Sequence, residues 1–207
     1  GTFATEPTIR STTSRHARDQ ATRAIPFDRL TDEAQKKIHF VTSNPSVFRR
    51  IWAGPIDCDA DLFVFLTRHP EVIIGIWDLM GITEIDVTRT GEHSLIAKDG
   101  QGMSSQVELI YGTSETHLIY ASGMCKGPLA KQPVQGKCVL QMKTKYTLGD
   151  DDQEFVTNQL DLFIRLENVG ADLVAKTLNP LVGRSADFNF RESIRFLSRI
   201  SRAAEKN

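Results

Sequence analysis

Long apolar runs, an excess of charge of either sign and clustered cysteines are all missing from this 207-residue chain. The longest apolar stretch, Val72-Ile73-Ile74-Gly75-Ile76-Trp77, falls far short of the roughly 20 residues that a membrane-spanning helix needs. Lys plus Arg number 25 against 26 for Asp plus Glu, a formal net charge of −1. That balance removes the electrostatic basis for general nucleic-acid binding, which rests on a strongly basic surface. Apolar residues at 40% and charged residues at 25% are enough to build a packed core and too apolar for wholesale disorder.

Catalytic and metal-binding signatures are also lacking. There is no glycine-rich dinucleotide loop, no phosphate-binding Walker loop, no nucleophile elbow and no HExxH pair. The histidines His16, His39, His69, His93 and His117 are dispersed; His93 and His117 fall on expected strands and could meet, but a metal site needs a third ligand. His69, before Pro70, reads as a turn residue. Asp150-Asp151-Asp152 lacks the spacing of a calcium loop and reads as a solvated turn. No metal, nucleotide or other cofactor is called for. The three cysteines Cys58, Cys125 and Cys138 form no CxxC and read as small buried hydrophobes. The alternative is a Cys125–Cys138 disulfide across a hairpin loop, which export would permit and a reducing cytosol would discourage. The chain opens on Gly1 rather than Met, the appearance left by a removed signal peptide or a clipped leader. The compartment therefore stays open between cytoplasm and export.

What is present is a change of period along the chain. Residues 2–24 are rich in Thr, Ser, Arg and Ala with few large apolar side chains, which suggests a mildly basic, flexible or loosely docked arm over residues 1–29. A single domain follows over 30–207. Thr31 can cap a short helix with acids in its first turn and lysines in its last. Val47 to Gly54 reads as a strand ending at Pro55, and Asp57 or Asp59 opens a helix through Leu66. His69-Pro70 interrupts that helix, and Pro70 starts a second one that stops near Gly81.

From residue 84 to 167 the period is two, with strands at about 84–89, 94–98, 105–111, 117–122, 138–146 and 154–167. Tight turns between them, Asp99-Gly100 among them, predict an antiparallel meander with one buried face. The tail is helical, with Asn168 as a cap. As one straight helix 168–205 would run about 57 Å, so Asn179-Pro180 and Gly183 mark an expected kink or break.

This order is strand, two short helices, meander, long C-terminal helix. Together with the stretch Asp59-Ala60-Asp61-Leu62-Phe63-Val64-Phe65-Leu66-Thr67-Arg68-His69-Pro70-Glu71-Val72, Trp77 one helix later and the closing Leu-rich helix, it resembles the START-like (SRPBCC) helix-grip superfamily over roughly residues 45–200. The resemblance implies an α+β fold in which a curved antiparallel sheet of six to seven strands grips the C-terminal helix, with two short helices after the first strand. Members bind lipids, sterols or hormones, and some are aromatases and cyclases, so the fold alone does not choose a reaction.

A sheet closed by one helix leaves apolar volume between them. The expected lining is Trp77, Val107, Leu109, Tyr111, Leu118, Tyr120, Leu140, Met142, Tyr146, Leu160, Leu162 and Ile164, faced by Val174 and Leu178 from the helix. Tyr111, Tyr120, Asp161 and Arg165 could supply polar groups; Asp161 and Arg165, about 13 Å apart on the opposite strand face, read as surface charges. Arg191, Arg195, Arg199 and Arg202 form a helical stripe, a solvated face or a peripheral contact to an anionic membrane. The expected function is binding of a hydrophobic small molecule, with lipids among the candidates. The alternatives are an aromatase/cyclase-like enzyme on the same fold and a non-catalytic interaction module whose cavity is filled by side chains.

Overall fold

Capping residues and prolines set the first boundaries. The computed structural model describes residues 8–79, 84–99, 103–125, 133–149, 153–167, 170 and 179–204. Strand β1 (Ile9–Thr12) leads to helix α1 (Arg15–Arg23), capped by Ser14, whose Oγ accepts from the Ala17 N–H at 3.2 Å. A 3₁₀ turn (Phe27–Arg29) precedes α2 (Asp32–Ser43), where Thr31 Oγ1 accepts from Ala34 N–H. Such a cap contributes about 1 kcal/mol. Strand β2 spans Val47–Asp57. It does not end at Pro55: a register shift between Ala53 and Ile56 places the exposed Pro55 at a bulge, where its missing N–H costs no ladder bond.

Helix α3 (Ala60–Arg68) starts at Asp59, whose Oδ1 accepts from Leu62 N–H at 2.7 Å, and α4 (Pro70–Leu79) starts at the proline. The meander follows as β3 (Asp86–Gly91), β4 (Ser94–Lys98), β5 (Ser104–Gly112), β6 (Thr116–Cys125), β7 (Val134–Leu148) and β8 (Glu154–Glu167). Helix α5 (Asn179–Ala204) closes the described chain. Pro180 stands in its first turn, the position proline tolerates, and the helix runs through Gly183 without a break. Asn168, Gly81 and the Asp150–Asp152 turn lie outside the described residues.

All eight strands form one antiparallel sheet in the order β1-β2-β8-β7-β6-β5-β4-β3, one strand more than the upper expectation. The extra strand comes from the N-terminal segment. Residues 9–29 are packed rather than loosely docked: Ala17, Ala21 and Ile25 are buried in a core cluster with Ile38 and Val41 of α2 and with Phe48, Leu118, Val139 and Phe163 of the sheet. Polar contacts lock the same segment down. Arg50 donates to Gln20 of α1 at 3.1 Å and Gln141 Nε2 donates to the Ala24 carbonyl at 2.8 Å.

The sheet therefore has two covered faces. On the back, α1 and α2 bury the first cluster; on the front, α5 and α3 bury a second one made of Ile51, Ala53, Ile56, Val156, Phe63, Leu66, Phe190, Ile194 and Leu197. The back is also where Asp161 lies. It is not a surface charge: its side chain is fully buried and accepts from Arg50 Nε at 2.5 Å, Arg50 Nη2 at 3.0 Å and Gln159 Nε2 at 2.9 Å. A buried carboxylate is tolerable only with this degree of pairing. Arg165, half-buried, gives Nη1 to the Phe40 carbonyl and lies 3.9 Å over the Phe40 ring.

Candidate functional site

Strand register decides which apolar side chains share the front face, because directly opposed residues of an antiparallel pair point the same way. Two cross-strand rows define it. Ile164, Cys138, Ala121, Val107 and Leu95 form one; Leu162, Leu140, Ile119 and Leu109 form the next. Met142 and Leu160 extend the face and Tyr146 opposes Val156 at its far end. Eight of the expected lining residues, Val107, Leu109, Leu140, Met142, Tyr146, Leu160, Leu162 and Ile164, are thus brought together. All but Leu162 remain half-buried, partly open to solvent. Trp77 of α4 is also half-buried and meets Phe196 of α5 edge-to-face, centroids 5.9 Å apart.

Three expected residues are on the wrong face. Leu118 and Tyr120 oppose Gln141 and Val139 and are buried at the back, against the N-terminal helices. A bulge between Leu109 and Tyr111 turns Tyr111 to the back as well, where it opposes Leu118 and packs on the same cluster. The front of β6 is carried instead by His117, Ile119 and Ala121. Val174 and Leu178 lie outside the described residues.

At one end of the front face the α3–α4 corner overhangs strands β3 to β6 and encloses a cleft of about 270 Å³. Leu95, Val107, Leu109 and Ile119 form its apolar floor, Thr67 to Pro70 its wall, and Arg89, Glu92 and His93 its rim. Arg89 fastens the corner to β3. Its Nε and Nη2 donate to the two Glu71 oxygens at 2.8 and 2.9 Å, Nη2 also donates to the Arg68 carbonyl at 2.9 Å, and Nη1 to the Glu92 carbonyl at 2.7 Å. Burial pushes the Glu71 carboxyl up, but hydrogen bonds from Arg89, from its own backbone N–H and from His69 outweigh it and hold it below its ordinary value. His69 is the residue that ends α3, stacked on Phe65 with centroids 4.5 Å apart and 3.1 Å from Glu71.

Beside the cleft sits a group that sequence reasoning weighed only as half of a metal pair. His117 is fully buried on the front face, and its Nε2 accepts from Arg68 Nε at 3.3 Å. Accepting there leaves the proton on Nδ1, which has no hydrogen-bond partner. Burial, and then the positive charge of Arg68, push its pKa down to about 4. His93 stands apart in the β3–β4 turn beside Glu92, and among the described residues no group of three potential ligands could hold a metal ion. Arg68 carried no signal, since it follows an apolar helix and resembles any solvated helix-end cation.

Cys58 and Cys138 are held in the thiol form. Burial pushes Cys58 up to about 11 and Cys138 up to about 12. Cys138 is free, and the alternative of a Cys125–Cys138 bridge is ruled out by register: Cys138 opposes Ala121, while Cys125 opposes Val134, four residues or about 13 Å further along. Of the arginine stripe, Arg191 and Arg199 are exposed and Arg195 pairs with Glu192 at 3.0 Å; the Arg202 side chain lies outside the described residues. Among the described residues no helix is long and apolar enough to cross a membrane. No protein-family model matches the chain, and no curated protein sequence matches it.

Proposed function

We propose that this chain binds a hydrophobic small molecule, a lipid being the leading class, on the front face of its sheet between the α3–α4 corner and the C-terminal helix. The observation that carries the reading is the contrast in cover between adjacent side chains. Leu118 and Val139 at the back are fully buried, while Ile119 and Leu140, next in sequence and apolar, stay partly open at the front. Half-covered apolar rows over a rigid sheet offer burial that the protein itself leaves incomplete. The order of elements, with seven of the strands running β2-β8-β7-β6-β5-β4-β3 and a long helix packed on β2 and β8, supports the START-like helix-grip resemblance. In that reading the helix is gripped by the sheet and the cleft is one end of its cavity.

Affinity then comes from apolar area removed from water. A ligand that buries about 300 Å² of apolar surface gains about 7 kcal/mol at ~25 cal/mol per Å², before the cost of association is subtracted. The test is native mass spectrometry of the purified protein with organic extraction, followed by titration with a dansyl-labelled fatty acid. Leu109→Arg puts a cation on the cleft floor, so probe binding is expected to fall at least about tenfold in a folded variant. Absence of any extracted small molecule, together with no probe binding by the unmodified chain, overturns the reading and leaves the interaction module.

A further inference from the structure

Among the charged groups that line the cleft, one stands uncompensated. Arg89 is held bidentately by Glu71, and Glu92 lies at the exposed outer rim, 3.8 Å from His93. Arg68 differs. It lines the same cleft and contacts His117 only through Nε, and among the described residues no carboxylate pairs with it. Its terminal nitrogens are therefore a planar pair of donors at the edge of an apolar floor made by Val107, Leu109 and Ile119.

A buried imidazole takes an N–H from a cation, which holds the ring neutral and leaves its other nitrogen without an acceptor. The ring cannot wander, because it is fully buried on strand β6. It therefore gives the otherwise exposed guanidinium a fixed point of attachment at Nε, with the terminal nitrogens beyond it.

We propose that the cleft selects ligands with a carboxylate headgroup: Arg68 receives the carboxylate, His117 is the positioning residue behind it, and the apolar chain runs over the front face. This deepens the hydrophobic-ligand reading and rests on it. The chemistry fits on three counts. A guanidinium fork matches a carboxylate with two parallel hydrogen bonds. An anion brings the countercharge that the cleft wall lacks. The apolar floor beside it accommodates the attached hydrocarbon.

The experiment compares a dansyl-labelled undecanoic acid with its methyl ester, which is the more hydrophobic of the two and so binds at least as well unless the carboxylate is recognised. The unmodified chain is expected to bind the acid about tenfold more tightly than the ester, the size of one charge-assisted hydrogen-bond loss. Arg68→Gln is expected to abolish the preference, the acid losing about tenfold relative to the ester, and Arg68→Lys to restore part of it, since charge returns without the fork. Equal binding of acid and ester by the unmodified chain overturns the proposal and leaves the hydrophobic-ligand reading in place. Retention of the preference in Arg68→Gln also overturns it. Binding of neither probe overturns both. The ratio in the unmodified chain decides the matter even if a variant fails to fold.

Discussion

The two faces of the sheet are built from the same strands, yet they are finished differently. The back is sealed by α1 and α2 over Phe48, Leu118, Val139 and Phe163, and a fully hydrogen-bonded Arg50–Asp161 pair is embedded among them. Among the described residues the front is buried where α5 and α3 meet β2 and β8 and at Leu95, His117 and Leu162, whereas Val107, Leu109, Ile119 and Leu140 stay half-buried, with Arg68 paired to no carboxylate beside them. The back carries stability; the front is where the proposed ligand would lie.

That division can be broken by experiment. The largest effect belongs to the back: Asp161→Ala leaves Arg50 buried without a countercharge and is expected to cost about 3–5 kcal/mol in urea unfolding. A loss below about 1 kcal/mol would mean that solvent reaches this pair and the back is not sealed. Next comes acid. His117 binds its proton at about pH 4 when folded against 6.5 unfolded, so between these values the unfolded chain holds more protons. Stability from this group is complete above about pH 6.5 and declines as pH falls toward 4, by on the order of 3 kcal/mol. His117→Gln is expected to flatten that part of the stability profile, and an unchanged slope would refute the neutral buried assignment. The smallest and sharpest test sets like against like. Leu118→Ala at the back should cost about 2–5 kcal/mol, and Leu109→Ala at the front about 2 kcal/mol less, because the second removes a side chain that is only half-buried. Equal losses would erase the distinction between the faces.

How far the fold was legible follows from which signals are local. Thr31, Asp59 and Pro70 announce α2, α3 and α4 through caps and first-turn chemistry, and the bounds of β4 and β8 follow from turns and alternation. The first helix was illegible because its buried face is made of Ala17 and Ala21, which produce no apolar periodicity among so many polar neighbours. Small side chains let α1 lie close to the sheet, where Arg50, Gln20 and Gln141 complete the attachment.

The candidate site was legible strand by strand and misphased between strands. Alternation separates the two sides of β6 but does not say which side faces α5 when both carry apolar residues, so the sequence alone puts Leu118 and Tyr120 at the front in place of Ile119. Tyr111 was reversed by a bulge that leaves no mark in residue types. Arg68 and His117 meet across 49 positions, a juxtaposition made only by the α3–β6 contact.

The Arg50–Asp161 pair also sets the order in which the chain can be completed. Its partners are 111 positions apart, and β2 finds its inner neighbour only in β8, the last strand of the sheet. Pairings of such long separation must pay for loop closure before they return anything, which slows folding. During synthesis the N-terminal helices and β2 emerge first, with Phe48 and a charged arginine waiting for a strand not yet made. The nascent chain up to about residue 153 is therefore the vulnerable species, and the same contact that seals the finished protein leaves its unfinished form dependent on protection from aggregation.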